Sequence, residues 1–258
     1  MEKKTFTIFT RHPERFTKQI QTIQERLTSL GYLRDDVHPE LVIVFGGDGS
    51  LLRATKELNQ EGYFLLLNSG HLGYYSDYQI EDYETMLDDI EKGYYEVERH
   101  PIYTVKINGK IVRFINDFAL QTTRSVELEI TINHQPFTLV RSSGIVVSSA
   151  LGSTGFALSL GSPIMTSSLP CYQYTVIAPV CNKLYPNPIN KALISQKDVL
   201  QIKIKRGEYT ICLDGILYDH RSSPNYYQIQ FDRTNSLKLI HFRSMNQIER
   251  IRKSIQVR

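Results

Sequence analysis

The chain has 258 residues, 41% hydrophobic and 22% charged, with a formal net charge of +3 and a pI near 8.6. This suits a globular protein of one large domain or two modest ones; the charge is too mild to argue for nucleic acid, although a local basic patch could meet an anion such as a phosphate. No run approaches eighteen consecutive apolar residues, and Arg11 arrives too soon for a signal-peptide core, so no membrane partner is expected and a cytoplasmic address follows.

Residues 4–10 (KTFTIFT) alternate as a strand, and residues 14–30 place Phe16, Ile20, Ile23, Leu27 and Leu30 at helical spacing before Gly31. Residues 41–45 (LVIVF) read as a strand buried on both faces, 51–60 (LLRATKELNQ) as a helix, 63–68 (YFLLLN) as a second buried strand and 80–93 as a helix ending at Gly93. That alternation predicts a parallel, doubly wound α/β layout. After Gly93 the period changes. Residues 94–107, 110–116, 125–132, 135–140 and 144–149 are short alternating segments joined by turn signals such as Asn108-Gly109, and 174–178, 198–205, 209–214, 227–232 and 236–242 continue the pattern around one helix-like stretch at 153–161. Residues 245–258 return to helical spacing, with Met245, Ile248, Ile251 and Ile255 on one side, which predicts a tail helix docked on an apolar surface. The expected organisation is an α/β domain over residues 1–98, to which the tail 240–258 returns, followed by a mainly antiparallel β domain over 99–239.

Cys171, Cys181 and Cys212 form an odd set without a C-x-x-C pair, which argues against a disulfide framework or a zinc site. The chemistry points elsewhere. Strand 41–45 runs into Gly46-Gly47-Asp48-Gly49-Ser50, and ligands of parallel sheets collect outside the carboxyl ends of the strands. Glycines there let the main chain approach a ligand, while the helix opening near Ser50 offers free N–H groups and a partial positive charge, a surface suited to phosphate. Neither the G-x-x-x-x-G-K loop nor the G-x-G-x-x-G fingerprint is present. Beside a phosphate, Asp48 has a use if it handles a proton, a metal or a sugar hydroxyl; the alternative, a plain Asp-Gly hairpin, would lead into an alternating strand rather than the helical LLRATKEL. A second cluster, Asn68 to Tyr74 with His71, opens onto the same sheet edge, although a lone histidine also serves as a structural hydrogen-bond donor. Residues 151–159 (LGSTGFALS) read either as an amide-and-hydroxyl cradle or as a helix start capped by Ser153 or Thr154. Asn116-Asp117 could bond a purine or ribose edge, or shape a turn.

Taken in order, FGGDGSLLRA, NSGHLGYYSD, IND, RSSG, GSTGFALSLGSPI and the late LDG resemble the NAD kinase family, in its bacterial branch, over nearly the whole chain. The resemblance implies an α/β domain paired with a β-sandwich-like domain, a homodimer or homotetramer, and transfer of a phosphoryl group from ATP or polyphosphate to the 2′-hydroxyl of the adenosine ribose of NAD, giving NADP. A divalent ion, Mg²⁺, would be held mainly by the donor's phosphates, with no metal site built from side chains. By the same resemblance Asp48 accepts the hydroxyl's proton, Gly46, Gly47 and Gly49 and the guanidinium of Arg53 face phosphates, and His71 lies at the same edge. Asn116 and Asp117 meet the adenine side, Arg141 and Ser143 belong to a ligand-binding turn, Thr154, Gly155, Phe156 and Ser159 enclose the dinucleotide, and Ala178 lines its pocket. The sequence departs from the family pattern in this pocket: Ser143 stands where an aspartate is usual, Phe156 replaces a tyrosine, and Asp117 a glutamate. Those departures leave open a non-catalytic NAD or NADP sensor; a GGDG-type lipid kinase would share only the first motif.

Overall fold

The computed structural model describes residues 4–58, 62–70, 73–205, 207–222, 225–242 and 247–255. The chain forms two compact units, Met1–His100 with Ser236–Arg258, and Pro101–Asn235.

The first unit contains β1 (Thr5–Phe9), α1 (Thr17–Ser29), β2 (Leu33–Arg34), β3 (Leu41–Phe45), α2 (Asp48–Glu57), β4 (Tyr63–Asn68), β5 (Tyr78–Gln79) and α3 (Tyr83–Lys92). Strands β4, β3, β1 and β2 lie side by side and all pair in parallel. Every residue of β3 is buried, as a strand covered on both faces demands. Leu41, Ile43 and Phe45 enter a core completed by Ile23 and Leu27 of α1 and Met86 and Leu87 of α3. Residues of the opposite parity, Val42, Val44, Phe64 and Leu66, are equally buried, and α2, with Leu51, Leu52 and Ala54 turned inward, packs on β3 and β4. Gly93 ends α3 in the left-handed conformation, φ 73°, where a side chain would be strained.

The second unit is built from β6 (Glu96–Ile107) from Pro101 onward, β7 (Lys110–Phe114), β8 (Asp117–Ile132), β9 (Gln135–Ser148), the one-turn α4 (Phe156–Ser159), β10 (Cys171–Ile177), β11 (Lys191–Ser195), β12 (Leu200–Ile204), β13 (Glu208–Leu213), β14 (Ile216–Ser222) and β15 (Asn225–His241) as far as Asn235; the first residues of β6 and the last of β15 belong to the first unit. Its pairings β6–β7, β8–β9, β9–β10, β10–β11, β8–β12, β12–β15, β8–β13 and β13–β14 are antiparallel. Inward-facing Leu128, Ile130, Val140, Tyr172, Ile202 and Tyr227 belong to one core. An α/β unit with a β-rich unit is the fold class that the periodicities predict.

The strands are longer than the sequence pattern implies, because bulges interrupt the alternation without ending the strand. The register of β8 against β9 shifts between Gln121 and Val126, opposite Gly144 and Ser142. Arg141 to Gly144 therefore lie inside β9 rather than in a turn. Gly144 has φ 143°, and a Cβ there would run into the Leu120 carbonyl oxygen, so glycine alone fits. Strands β11 and β14 lie outside the segments that the sequence pattern predicts; β14 returns from β13 through Asp214-Gly215, both at positive φ as a two-residue hairpin turn requires.

The tail helix α5 (Gln247–Ile255) forms, and of the two described positions of its expected apolar stripe Ile251 is half-buried. Ile248 is 67% exposed, whereas Arg250 is only 5% exposed. Met245 and the Ile255 side chain lie outside the described residues. The helix is fastened by a buried arginine, a device that hydrophobic periodicity cannot reveal. Among the described residues no helix is long and apolar enough to cross a membrane.

Candidate active site

Strand β3 delivers the chain to Gly46, which sits at φ 141° and donates its N–H to the Leu67 carbonyl at 3.0 Å. A side chain at Gly46 would collide with that of Ser50. Gly47 is the extended N-cap of α2, so the helix starts at Asp48, two residues earlier than the sequence pattern indicates. This puts the Asp48 carboxyl in the first helical turn, where the helix dipole favours negative charge. Gly49 is exposed and Arg53, a little over one turn further along α2, is half-buried.

Asp48 does not stand in a bare turn. Its two carboxylate oxygens accept the Tyr74 N–H at 3.1 Å each, and one also accepts the Tyr75 N–H at 3.3 Å. The first two motifs are thereby joined, since Tyr74 closes the second of them, which opens at the end of β4. Asn68 shapes that loop by donating to the Gly70 carbonyl at 2.8 Å and accepting the Gly70 N–H at 3.2 Å. His71 lies outside the described residues. Burial raises the Asp48 pKa, and the Tyr74 and Tyr75 amides partly oppose it. A carboxylate in this state is a stronger proton acceptor than one in water.

In the second unit, Asn116-Asp117 and the small-residue stretch come together. The Asn116 carbonyl accepts the Ser149 N–H at 2.9 Å, and a Cβ on Gly152 would collide with the same carbonyl. Ser153 and Thr154 do not cap a helix: their hydroxyls donate to the carbonyls of Ala150 at 2.6 Å and Leu151 at 3.0 Å. Ser159 likewise donates to Phe156, and the Gly155 N–H to Gly152. Phe156 is partly buried, while Gly155 and Ser159 are exposed. The hydroxyls of this segment thus stiffen its own backbone.

Sequence reasoning named Asp214 only within the LDG motif, yet it organises this region. Its carboxyl accepts the N–H groups of Ile115 at 3.0 Å, Asn116 at 2.6 Å and Asp117 at 3.2 Å, and its own N–H donates to the Asp117 carbonyl. The readable signal is an Asp-Gly pair between two alternating runs, in which the aspartate serves as both turn residue and anchor. Burial pushes Asp214 up to about 7 against three amide bonds that favour its charge, and burial likewise pushes Asp117 up to about 6. Folded-state values above the unfolded one mean that this contribution to stability is complete below about pH 4 and is lost as pH rises through about 6 to 7. The Tm advantage of the native protein over Asp214→Asn is therefore expected to shrink between pH 5 and pH 8; an advantage that grows over that interval would refute the assignment.

Arg141, Ser143 and Ala178 form a third group. Arg141 is exposed, donates Nε–H to the Ser125 hydroxyl at 3.0 Å and accepts the Val180 N–H on its carbonyl at 2.7 Å. Ile177 of β10 pairs with Gly144, and Ala178, at φ 45°, turns the chain away before Pro179. An alanine held left-handed costs about 1 kcal/mol or more, a strain the flanking pairing sustains. Ser143 is partly exposed beside the bulge. Among the described residues no group of three or more His, Cys, Asp or Glu side chains is placed to hold a metal ion.

The sequence matches two family models, the ATP-NAD kinase N-terminal domain over residues 5–95 and the ATP-NAD kinase C-terminal domain over residues 118–241. An NAD kinase from Streptococcus pneumoniae strain Hungary19A-6 is 30% identical over 210 residues, covering 78% of this chain and 77% of the relative. That of strain 70585 is 29% identical over 231 residues, covering 85% and 83%. Among solved structures, an NAD kinase from Archaeoglobus fulgidus in complex with ATP superposes with TM-score 0.73 at 19% identity, over 96% of this chain and 98% of the other. Yeast NADH kinase complexed with NADH gives 0.80 at 16%, over 96% and 85%. Those two likenesses establish the fold. The two domain models, matched in order, and the pneumococcal relatives show that the chain belongs to the NAD kinase family.

Proposed function

We propose that this NAD kinase transfers a phosphoryl group to the 2′-hydroxyl of the adenosine ribose of NAD, with Asp48 as the group that orients that hydroxyl and accepts its proton. The observation that carries the assignment is the state of Asp48: half-buried, raised in pKa, and held by two main-chain amides. A carboxylate neutralised by a lysine or arginine would be a poor base. Phosphoryl transfer passes through a loose transition state, so alignment and charge stabilisation supply most of the acceleration and the base adds about 10²–10⁴-fold.

In this reading the amides of Gly46, Gly47 and Gly49 and the planar fork of Arg53 take phosphate oxygens. Asn116, Asp117, Arg141, Ser143, Thr154 to Ser159 and Ala178 bind the dinucleotide. The division of labour is between an α/β domain, residues 1–98 with 240–258, and a dinucleotide-binding domain, residues 99–239. ATP is the favoured donor, since the Archaeoglobus fulgidus structure contains it; polyphosphate is the second. A divalent ion fits as part of the donor, because one carboxylate beside a glycine turn is too few ligands for a resident metal. Bound with the phosphates, it would neutralise their charge. We further propose that the protein works in the cytoplasm as a homodimer or homotetramer.

The test is to incubate the purified protein with NAD, ATP and Mg²⁺ and to detect NADP by coupling to an NADP-specific dehydrogenase, with polyphosphate as a second donor. NADP formation is the expected result. Measurable NAD binding without product from either donor would favour a sensor, the outcome that Ser143 in place of a carboxylate and Phe156 in place of a tyrosine would permit.

A further inference from the structure

The tail helix carries a charge into the interior that the proposed chemistry does not use. Arg250 meets Asp77 at 3.5 Å, Glu98 at 3.3 Å and the His241 ring at 2.9 Å. The Asp77 side chain is 1% exposed. Its carboxyl also binds His241 Nδ1 at 3.0 Å and accepts the Phe242 N–H at 3.0 Å. Asp77 closes the segment that begins at Tyr74, and the amides of Tyr74 and Tyr75 hold the Asp48 carboxylate. The same helix reaches this segment a second time, where the Gln247 side chain meets the Tyr74 phenol.

We propose that Arg250 is a positioning residue for Asp48: by fixing Asp77 it fixes the segment 74–77, and with it the two amides that set the orientation of the proton acceptor. This rests on the reading of Asp48 given above. A structural arginine could be placed anywhere in the fold. Arg250 is instead two links from the candidate base, its own contact with Asp77 and the Tyr74 and Tyr75 amides on Asp48, both part-buried. An ion pair of this depth contributes little net stability over an apolar replacement of the same shape, whereas the geometry it imposes is specific. Misplacing a reacting group by about 1 Å can cost about 100-fold in rate.

The titratable groups around Arg250 and Asp77 are His241 on β15, Glu98 and His100 on β6, and Tyr74 on the loop. Burial pushes the His241 pKa down, but hydrogen bonds to Asp77 and Glu98 outweigh it and leave it raised. His241 and the Phe242 N–H still bind the Asp77 carboxyl without Arg250, which lets a substitution there be folded and assayed.

Two variants test the proposal: Arg250→Lys, which keeps the charge and loses the fork, and the double variant Asp77→Asn with Arg250→Gln, which strands no charge. In protein shown by thermal melting to be folded at the assay temperature, kcat is expected to fall at least about tenfold while the KM for NAD stays within about threefold. The acid limb of the kcat profile should also move to higher pH, because loosened Tyr74 and Tyr75 amides no longer hold the Asp48 pKa down. A folded variant with native kcat and a native acid limb overturns the proposal. If neither variant folds, Gln247→Ala gives the same reading at smaller amplitude: an upward shift of the acid limb supports the proposal and an unchanged limb overturns it. Asp48→Asn separates the two levels of inference. Native turnover in that variant removes the assignment of Asp48 itself, whereas loss of turnover there alongside native Arg250 variants removes only the role of the tail helix.

Discussion

Asp48→Asn is expected to lower kcat by about 10²–10⁴-fold while NAD affinity stays within a few-fold, measured by the coupled NADP assay and by calorimetric titration with NAD. Asparagine matches aspartate in shape and keeps one oxygen able to accept the Tyr74 N–H, so the loop after β4 retains part of its hold. It cannot accept a proton, and its amide group turns donors toward the donors of Tyr74 and Tyr75. The loss therefore falls on the transition state and leaves ground-state binding nearly intact. The pH profile supplies an independent reading. Since burial raises the Asp48 pKa, the native kcat should decline toward acid at a pH above the ordinary aspartate range, and the residual rate of Asp48→Asn should lack that limb. A variant with native kcat would remove Asp48 from the chemistry.

Gly152→Ala is expected to cost about 3 kcal/mol of stability, the upper end of ordinary overpacking. The added methyl would press on the carbonyl oxygen, carbonyl carbon and Cα of Asn116. None of these can retreat easily: the carbonyl accepts the Ser149 N–H, and the Asn116 N–H is held by the Asp214 carboxyl. At about 2–4 °C per kcal/mol for a chain of this size, Tm should fall by roughly 6–12 °C. The KM for NAD should rise as well if Asn116 and Asp117 touch the dinucleotide. A Tm within about 2 °C of native would mean that the Asn116 main chain yields at little cost, and that Gly152 is not the tight contact described here.

How much of this was legible before the structure varies with the kind of signal. The buried runs LVIVF and YFLLLN identified β3 and β4 because a strand covered on both faces leaves no polar position, and the 3.6-residue spacing found α1 and α3. Strand lengths in the second unit were less readable. Bulges at Ser142 to Gly144 and at Thr131 reset the alternation within one strand, and a reader of periodicity sees an ending where the backbone continues. Within the candidate site, glycine spacing located the turn after β3. It could not show that the Asp48 carboxyl is bound by amides 26 and 27 residues away, since a main-chain donor leaves no trace in residue identity. Asp214 and Arg250 were missed for related reasons. One resembles an ordinary hairpin turn, and the other interrupts an apolar stripe in a place where a charge is normally taken to face water.

The most direct measurement is a crystal structure of the protein with NAD bound. The account predicts the ribose 2′-hydroxyl oxygen within hydrogen-bonding reach, about 2.6–3.2 Å, of an Asp48 carboxylate oxygen. A dinucleotide bound with that hydroxyl against other groups, and Asp48 still engaged only by the amides of Tyr74 and Tyr75, would contradict it.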